Sequence, residues 1–250
     1  PLSGSYSYTQ TGTGVRAYIL DTGIRPTHTD FGGRASGAYS SIAGGTADCH
    51  GHGTHVAGTV GGTKWGVAKN VTILAVRVLD CNGSGTTAGV IAGVDWVTAN
   101  AIKPAVANMS LGGAASASLD LAVQNSIASG ITYVLSAGNS NTGACSFSPA
   151  RVPEALTVGA SAINDARASF SNFGTCLDIF APGVGTVSAW IGSDTDSASL
   201  NGTSMASPHV AGAVDLYLQS NPTATPASVV SAINAAATLN KITNPGTGSV

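Results

Sequence analysis

Charge is what this sequence has least of. Lys, Arg, Asp and Glu together make up 9% of its 250 residues, against about 25% in an ordinary soluble domain. Ten basic residues face twelve acidic ones, a formal net charge of -2, and neither sign forms a run. Nothing here would neutralise a phosphate backbone or an anionic bilayer, which excludes a general nucleic-acid or membrane-surface binder. Glutamate is almost missing, since only Glu154 carries that side chain. Long apolar runs are missing too: no stretch approaches the roughly 18 residues that a membrane-spanning helix needs. The chain therefore reads as soluble, its surface resting on Ser, Thr and Asn. No C-x-x-C pair occurs among Cys49, Cys81, Cys145 and Cys176, so neither a zinc ribbon nor a redox dithiol is indicated. No signal-peptide pattern stands at Pro1, and any targeting or pro-segment is expected to have been removed.

Glycine, by contrast, is abundant: 33 of 250 residues, close to twice the usual share of about 7%. It follows no collagen period and forms no low-complexity block, so it belongs to turns and close contacts. An even number of cysteines without metal spacing favours disulfides and an oxidising compartment, with three connectivities open.

Apolar runs at 15–21, 71–79, 106–110, 131–137, 155–159 and 177–181 read as strands. They are apolar throughout instead of alternating, as strands of a parallel sheet covered on both faces would be. Helix-compatible segments lie at 52–60, 86–100, 117–129, 204–220 and 226–236. In the third, Leu119, Ala122, Val123, Ser126 and Ile127 recur at helical spacing, and Gly130 stands where a glycine cap belongs. Alternation of the two kinds of element predicts an α/β fold of three layers, a mainly parallel central sheet flanked by helices. No linker, repeat or composition shift interrupts residues 1–250, which read as one domain.

In open α/β sheets reactive groups collect at the carboxyl ends of strands. Three expected strand ends pass from apolar residues into small and polar ones: Asp21-Thr22-Gly23, Ser110-Leu111-Gly112-Gly113 and Gly138-Asn139. His52 stands between Gly51 and Gly53 at a helix start, where neighbours can approach the imidazole closely. Ser204 follows Gly202 at another helix entry, with Pro208 in its opening turns, so an oxyanion formed there would face backbone N–H groups. Taken singly, each has an ordinary explanation: an N-cap for Ser204, a core or surface imidazole for His52, a turn aspartate for Asp21.

Taken together they are far more specific. Asp21-Thr22-Gly23, then His52-Gly53-Thr54-His55-Val56-Ala57-Gly58, then Gly202-Thr203-Ser204-Met205-Ala206-Ser207-Pro208-His209-Val210-Ala211-Gly212 occur in that chain order. This resembles the subtilisin-like serine proteases, in detail the proteinase K branch and its aqualysin-like members, in which Asp, His and Ser follow the same order. Gly83-Ser84-Gly85, Asn108-Met109-Ser110-Leu111-Gly112-Gly113, Ala137-Gly138-Asn139 and Ser169-Phe170-Ser171-Asn172-Phe173-Gly174 extend the likeness over nearly the whole chain.

The resemblance implies a secreted, monomeric serine endopeptidase that takes extended polypeptides and works through an acyl-enzyme. Ser204 would be the nucleophile, His52 the general base and then acid, and Asp21 the carboxylate that orients the imidazole. Asn139 and the Ser204 backbone N–H would hold the oxyanion. Gly83, Ser84 and Gly85, with Ser110, Leu111 and Gly112, would pair with substrate as added strands. Bare residues at Gly112, Gly113, Ala137 and Gly138 imply a roomy apolar pocket and a preference for aromatic or large aliphatic residues before the cleaved bond. The resemblance pairs Cys49 with Cys81 and Cys145 with Cys176, and it implies structural calcium held by Asp178 and the carbonyls of Pro153 and Ala155.

Against this pattern, His50 replaces a common Asn or Asp, Thr87 replaces an aromatic found in some relatives, and the family's first and last segments are expected to be missing. Two rival functions compete. A zinc hydrolase would use His50, His52 and His55, but H-E-x-x-H is absent. A catalytically dead binding protein would not need Asp21, His52 and Ser204 all intact.

Overall fold

The computed structural model describes residues 5–249. In chain order the elements are β1 (Arg16–Asp21), β2 (Ala35–Ser40), α1 (His52–Gly61), β3 (Thr72–Arg77), α2 (Thr87–Asn100), β4 (Ala105–Met109), β5 (Gly113–Ala114) and α3 (Ala117–Ala128). There follow β6 (Thr132–Ser136), β7 (Phe147–Ser148), β8 (Leu156–Ser161), β9 (Ile179–Pro182), β10 (Thr186–Ala189), β11 (Ser197–Leu200), α4 (Thr203–Ser220) and α5 (Pro226–Ala236). Seven strands form one sheet in the order β2-β3-β1-β4-β6-β8-β9, every neighbouring pair parallel. Two small antiparallel ribbons join β10 to β11 and β5 to β7.

Side-chain alternation on β1 shows why both faces must be covered. Ala17 and Ile19 enter one core with Val56 and Val60 of α1 and Val210 and Val214 of α4. Tyr18 and Leu20 enter the opposite core with Val90 and Val94 of α2 and Leu119 and Val123 of α3. Every residue of β4, β6 and β8 is buried, which accounts for their largely apolar sequences without in-out alternation. The expected α/β architecture with a parallel sheet between helical layers is therefore present. Gly130 takes φ +100° just beyond α3, as its capping position requires.

The edge strand β2 and the ribbon strands β10 and β11 were not anticipated. Ala35–Ser40 reads Ala-Ser-Gly-Ala-Tyr-Ser and only Ala35 is buried, so it carries no apolar signature. The last sheet strand begins at Ile179, two residues later than the apolar run suggested, just after the Asp178 N–H bonds across to the Thr157 carbonyl of β8.

Helix starts divide into two kinds. The N-caps Thr86, Ser116 and Thr225 of α2, α3 and α5 each accept a backbone N–H with their own side chain. The helices α1 and α4 start on Gly51 and Gly202 and have no such cap. Both uncapped ends lie at the carboxyl edge of the sheet. The chain builds β2 and β3 on one side of β1, then crosses to β4 and continues outward, so β1 and β4 flank the topological switch point.

Candidate active site

Asp21 is the last residue of β1 and is wholly buried; His52 is the first residue of α1. Nδ1 of His52 lies 2.7 Å from Asp21 Oδ1, and the same oxygen accepts the Thr22 N–H at 2.7 Å. Asp21 Oδ2 is buried and has no partner among the described residues. The approach of α1 to the end of β1 depends on Gly53, where a Cβ would collide with the Gly23 carbonyl oxygen.

A second carboxylate organises this contact. Thr22 Oγ1 accepts the Gly53 N–H at 2.9 Å and donates to Asp48 Oδ1 at 2.9 Å. Asp48 Oδ1 also accepts the N–H groups of His50 and Gly51, each at 2.9 Å. Its Oδ2 accepts the Thr54 N–H at 2.9 Å and the Thr54 hydroxyl at 2.7 Å. Asp48 thus satisfies the N–H groups of Gly51 and Thr54 at the start of α1 from outside the helix, while those of His52 and Gly53 go to His50 Nδ1 and Thr22 Oγ1. Burial pulls the His52 pKa down, but the charge and hydrogen bond of Asp21, reinforced by the charge of Asp48, outweigh it. The imidazole titrates above its ordinary 6.5.

Ser204 is the second residue of α4, so its N–H cannot bond within the helix, and it has no acceptor among the described residues. Its hydroxyl donates to the Ser110 carbonyl at 3.1 Å, and no hydrogen bond joins it to His52 among the described residues. Ser110 Oγ binds back to the Ser204 carbonyl at 2.8 Å and to Ser207 Oγ at 2.9 Å, with Asn108 Nδ2 donating to it at 2.9 Å. Asn139 lies exposed beside the start of α4. Its Oδ1 accepts the N–H and hydroxyl of Thr203 at 2.8 and 2.9 Å, which leaves Nδ2 free to donate. Thr203 Oγ1 in turn accepts the Gly138 N–H at 3.0 Å, clipping the end of β6 to the start of α4.

His52 and Ser110 share a cleft of about 620 Å³. Gly83, Ser84 and Gly85 form one wall and Leu111, Gly112 and Gly113 the other, with Thr87, Leu79, Val90 and Leu119 completing an uncharged lining. His50 lines it too, beside Gly83. Ala137 and Gly138 lie outside the lining. Ala137 is wholly buried with its carbonyl accepting from Asn172 Nδ2 at 2.8 Å, and a Cβ at Gly138 would strike the same amide. Packing against Asn172 thus requires Gly138 to be bare.

The three imidazoles of the zinc reading do not converge. The rings of His50 and His52 are 6.3 Å apart, while His55 turns its Nε2 to the carbonyls of Thr186 and Ala198 at 3.0 and 3.1 Å. Disulfides join Cys49 to Cys81 and Cys145 to Cys176. The first ties the approach to α1 to the turn before Gly83. Beneath it the buried Arg77 donates to the carbonyls of Gly45, Ala47 and Leu79. Asp178 Oδ2 accepts the Thr157 N–H at 2.8 Å, and burial raises its pKa. The nearby carbonyls of Pro153 and Ala155 accept no N–H or O–H among the described residues. That donor set, one desolvated carboxylate with two free carbonyls, fits a hard cation that takes about 6–8 oxygens.

Sequence reasoning passed over Asp48, Thr22, Thr203, Asn108 and Ser207. The only signal was adjacency: Thr22, Thr203, Asn108 and Ser207 sit within motifs and Asp48 four residues before His52, but their reach across the site depends on the fold.

A parallel α/β sheet with an Asp–His pair and a helix-borne serine at its switch point is the architecture of the subtilases. The chain belongs to that family: the subtilase family profile matches residues 12–248. It is 60% identical over 248 residues to an extracellular serine proteinase of Thermus sp. (strain Rt41A), covering 98% of this chain and 60% of that relative. It is 53% identical over 246 residues to the alkaline serine exoprotease A of Vibrio alginolyticus, covering 98% of this chain and 46% of the relative. The crystal structure of a cold adapted subtilisin-like serine proteinase superposes with a TM-score of 0.97 at 52% identity, covering 100% of this chain and 91% of that one.

Proposed function

We propose that this chain is the catalytic domain of a secreted serine endopeptidase that hydrolyses extended polypeptides through an acyl-enzyme. The observation that carries the reading is the 2.7 Å Asp21–His52 bond in a cleft whose Ser110 carbonyl holds the Ser204 hydroxyl. With Nδ1–H donated to Asp21, the His52 lone pair lies on Nε2, the tautomer a general base needs. Rotation of the Ser204 side chain would release Oγ from Ser110 for that nitrogen; catalytic hydrogen bonds often tighten only when substrate is present. A peptide N–H donated to the Ser110 carbonyl would displace the hydroxyl and favour this rotation.

Ser204 Oγ then attacks the carbonyl carbon while its proton passes to His52 Nε2. The oxyanion meets the free Ser204 N–H and Asn139 Nδ2. His52 returns the proton to the leaving amine, and water, deprotonated by the same nitrogen, releases the acid product from Ser204. Flat glycine walls admit an extended backbone, and the uncharged lining favours aromatic or large aliphatic residues before the cleaved bond. Two disulfides support secretion, and a monomer suffices because every proposed group comes from one chain. Asp178, Pro153 and Ala155 would hold a calcium ion whose contribution is to stability, by binding the folded state selectively. Purified protein should clear casein, lose that activity to a sulfonyl fluoride and keep it in a zinc-specific chelator. Activity abolished by the chelator and spared by the sulfonyl fluoride would overturn the reading.

A further inference from the structure

Five donors converge on Asp48, a residue outside the Asp21–His52 pair: the Thr22 and Thr54 hydroxyls and the N–H groups of His50, Gly51 and Thr54. Three of them bracket His52 along the chain. The fourth and fifth extend the hold in both directions, since Thr54 lies in the first turn of α1 and the Thr22 N–H shares Asp21 Oδ1 with the imidazole. Asp48 is thus bonded to the segments that carry both members of the pair.

We propose that Asp48 is a positioning residue for the reaction, which sets the separation of Asp21 and His52 through Thr22 and Gly51 and adds a second negative charge to the field at the imidazole. The proposal rests on the catalytic reading above and deepens it. A carboxylate used only as a helix cap would need one or two of these bonds and none to the β1 loop. The charged and titratable groups facing His52 are Asp21 from β1, Asp48 and His50 from the loop before α1, and His55 one turn along α1. His55 is kept neutral by burial, so Asp21 and Asp48 dominate the field. The two parts of the role separate by substitution. Asp48→Asn removes the charge and keeps an acceptor, whereas Thr22→Val breaks the bridge to β1 and keeps the charge.

The test reads the imidazole directly. In a Ser204→Ala background, NMR titration of His52 in Asp48→Asn should fall by about 0.5–1 pH unit relative to the parent. It should move less for Thr22→Val, which keeps the Asp48 charge. In the active protein the acid limb of kcat/KM should move by the same amount in Asp48→Asn. Both variants should lose about tenfold in kcat with KM little changed, as expected for a misplaced base. A His52 titration unmoved in Asp48→Asn, with kcat lowered only by the unfolded fraction, would make Asp48 a cap and overturn the proposal. Loss of the catalytic reading itself would show differently, as wild-type protein without hydrolysis, and the NMR shift would still decide whether Asp48 governs the imidazole.

Discussion

His52 and His55 stand one turn apart on α1 and experience opposite fields. His52 meets a buried carboxylate, and its pKa rises above 6.5. His55 is wholly buried, donates its Nε2–H to two ribbon carbonyls, packs edge-on against Trp190 and leaves Nδ1 without a partner among the described residues; burial drives its pKa down to about 4. One residue type on one helix therefore serves two ends. A facing anion makes an imidazole that can take a proton near neutrality, whereas burial, against the pull of the two carbonyls, keeps neutral a donor that binds β10 and β11 to α1.

The strongest way to break this comparison is to remove the group that His52 is proposed to activate. Ser204→Ala should lower kcat by roughly 10⁶, the size of the loss on removing the nucleophile in subtilisin, a relative of this chain. His55→Gln, which replaces a donor on the structural side of the same helix, should keep kcat within about tenfold. Initial rates on a chromogenic peptide check both, and a fully active Ser204→Ala protein would remove the distinction between the two sides. Next in size is the pH dependence. Because His52 must be neutral to act as base, kcat/KM should climb through its raised pKa, with the half-maximal point above pH 6.5. A midpoint well below 6.5 would mean that burial, not Asp21, governs the ring.

Stability sharpens the comparison further, since the two imidazoles act with opposite sign. His52, raised, contributes stability that is fully present below its unfolded pKa and lost as pH climbs through the folded one. His55, lowered, does the reverse: the unfolded chain takes up a proton below pH 6.5 that the native state refuses until about pH 4. That difference removes roughly 3 kcal/mol as pH falls across the interval. Urea midpoints of a Ser204→Ala protein between pH 4 and 7 should show this acid slope, and His55→Gln should flatten it.

These contrasts explain what the sequence made legible. The central strands were visible because a parallel strand covered on both faces is buried at every position and so mostly apolar, as β4, β6 and β8 are, with Asn108, Thr132, Ser136, Thr157 and Ser161 as the polar exceptions. The ends of β1 and β4 and the starts of α1 and α4 were visible because their residues carry chemistry at fixed spacing. Hidden were β2, whose exposed edge position leaves it polar, and the ribbon strands β10 and β11, which pair locally. Hidden too was the difference between His52 and His55: both follow a glycine or a small residue in one motif, and only the fold decides which meets Asp21. Asp48 looks like a turn residue until Thr22 is brought to it. Ala137 and Gly138 look like a pocket floor, and the sequence did not show that Asn172 packs behind them.

A pair of aspartates carries the same lesson to a last, smaller effect. Asp48 gathers five donors, while Asp215 on α4 is wholly buried and both its oxygens lack a partner among the described residues. Burial alone raises the Asp215 pKa well above 3.8, with no cation to oppose it. From about pH 3.8 up to that folded pKa the native state holds a proton that the unfolded chain has released, so stability must decline with rising pH across the window. Replacing the carboxyl should therefore stabilise the protein. Asp215→Ala removes both the charge and the unsatisfied polar group and should gain about 1–3 kcal/mol at pH 8. Asp215→Asn removes only the charge and should fall between Ala and wild type. Near pH 4 the advantage of Ala should shrink to the cost of the small cavity it leaves. Calorimetry in the Ser204→Ala background at both pH values reads the order of the three proteins. A wild type as stable as Asp215→Ala at pH 8 would mean that Asp215 finds a donor after all, and that α4 tolerates its charge as the start of α1 tolerates that of Asp48.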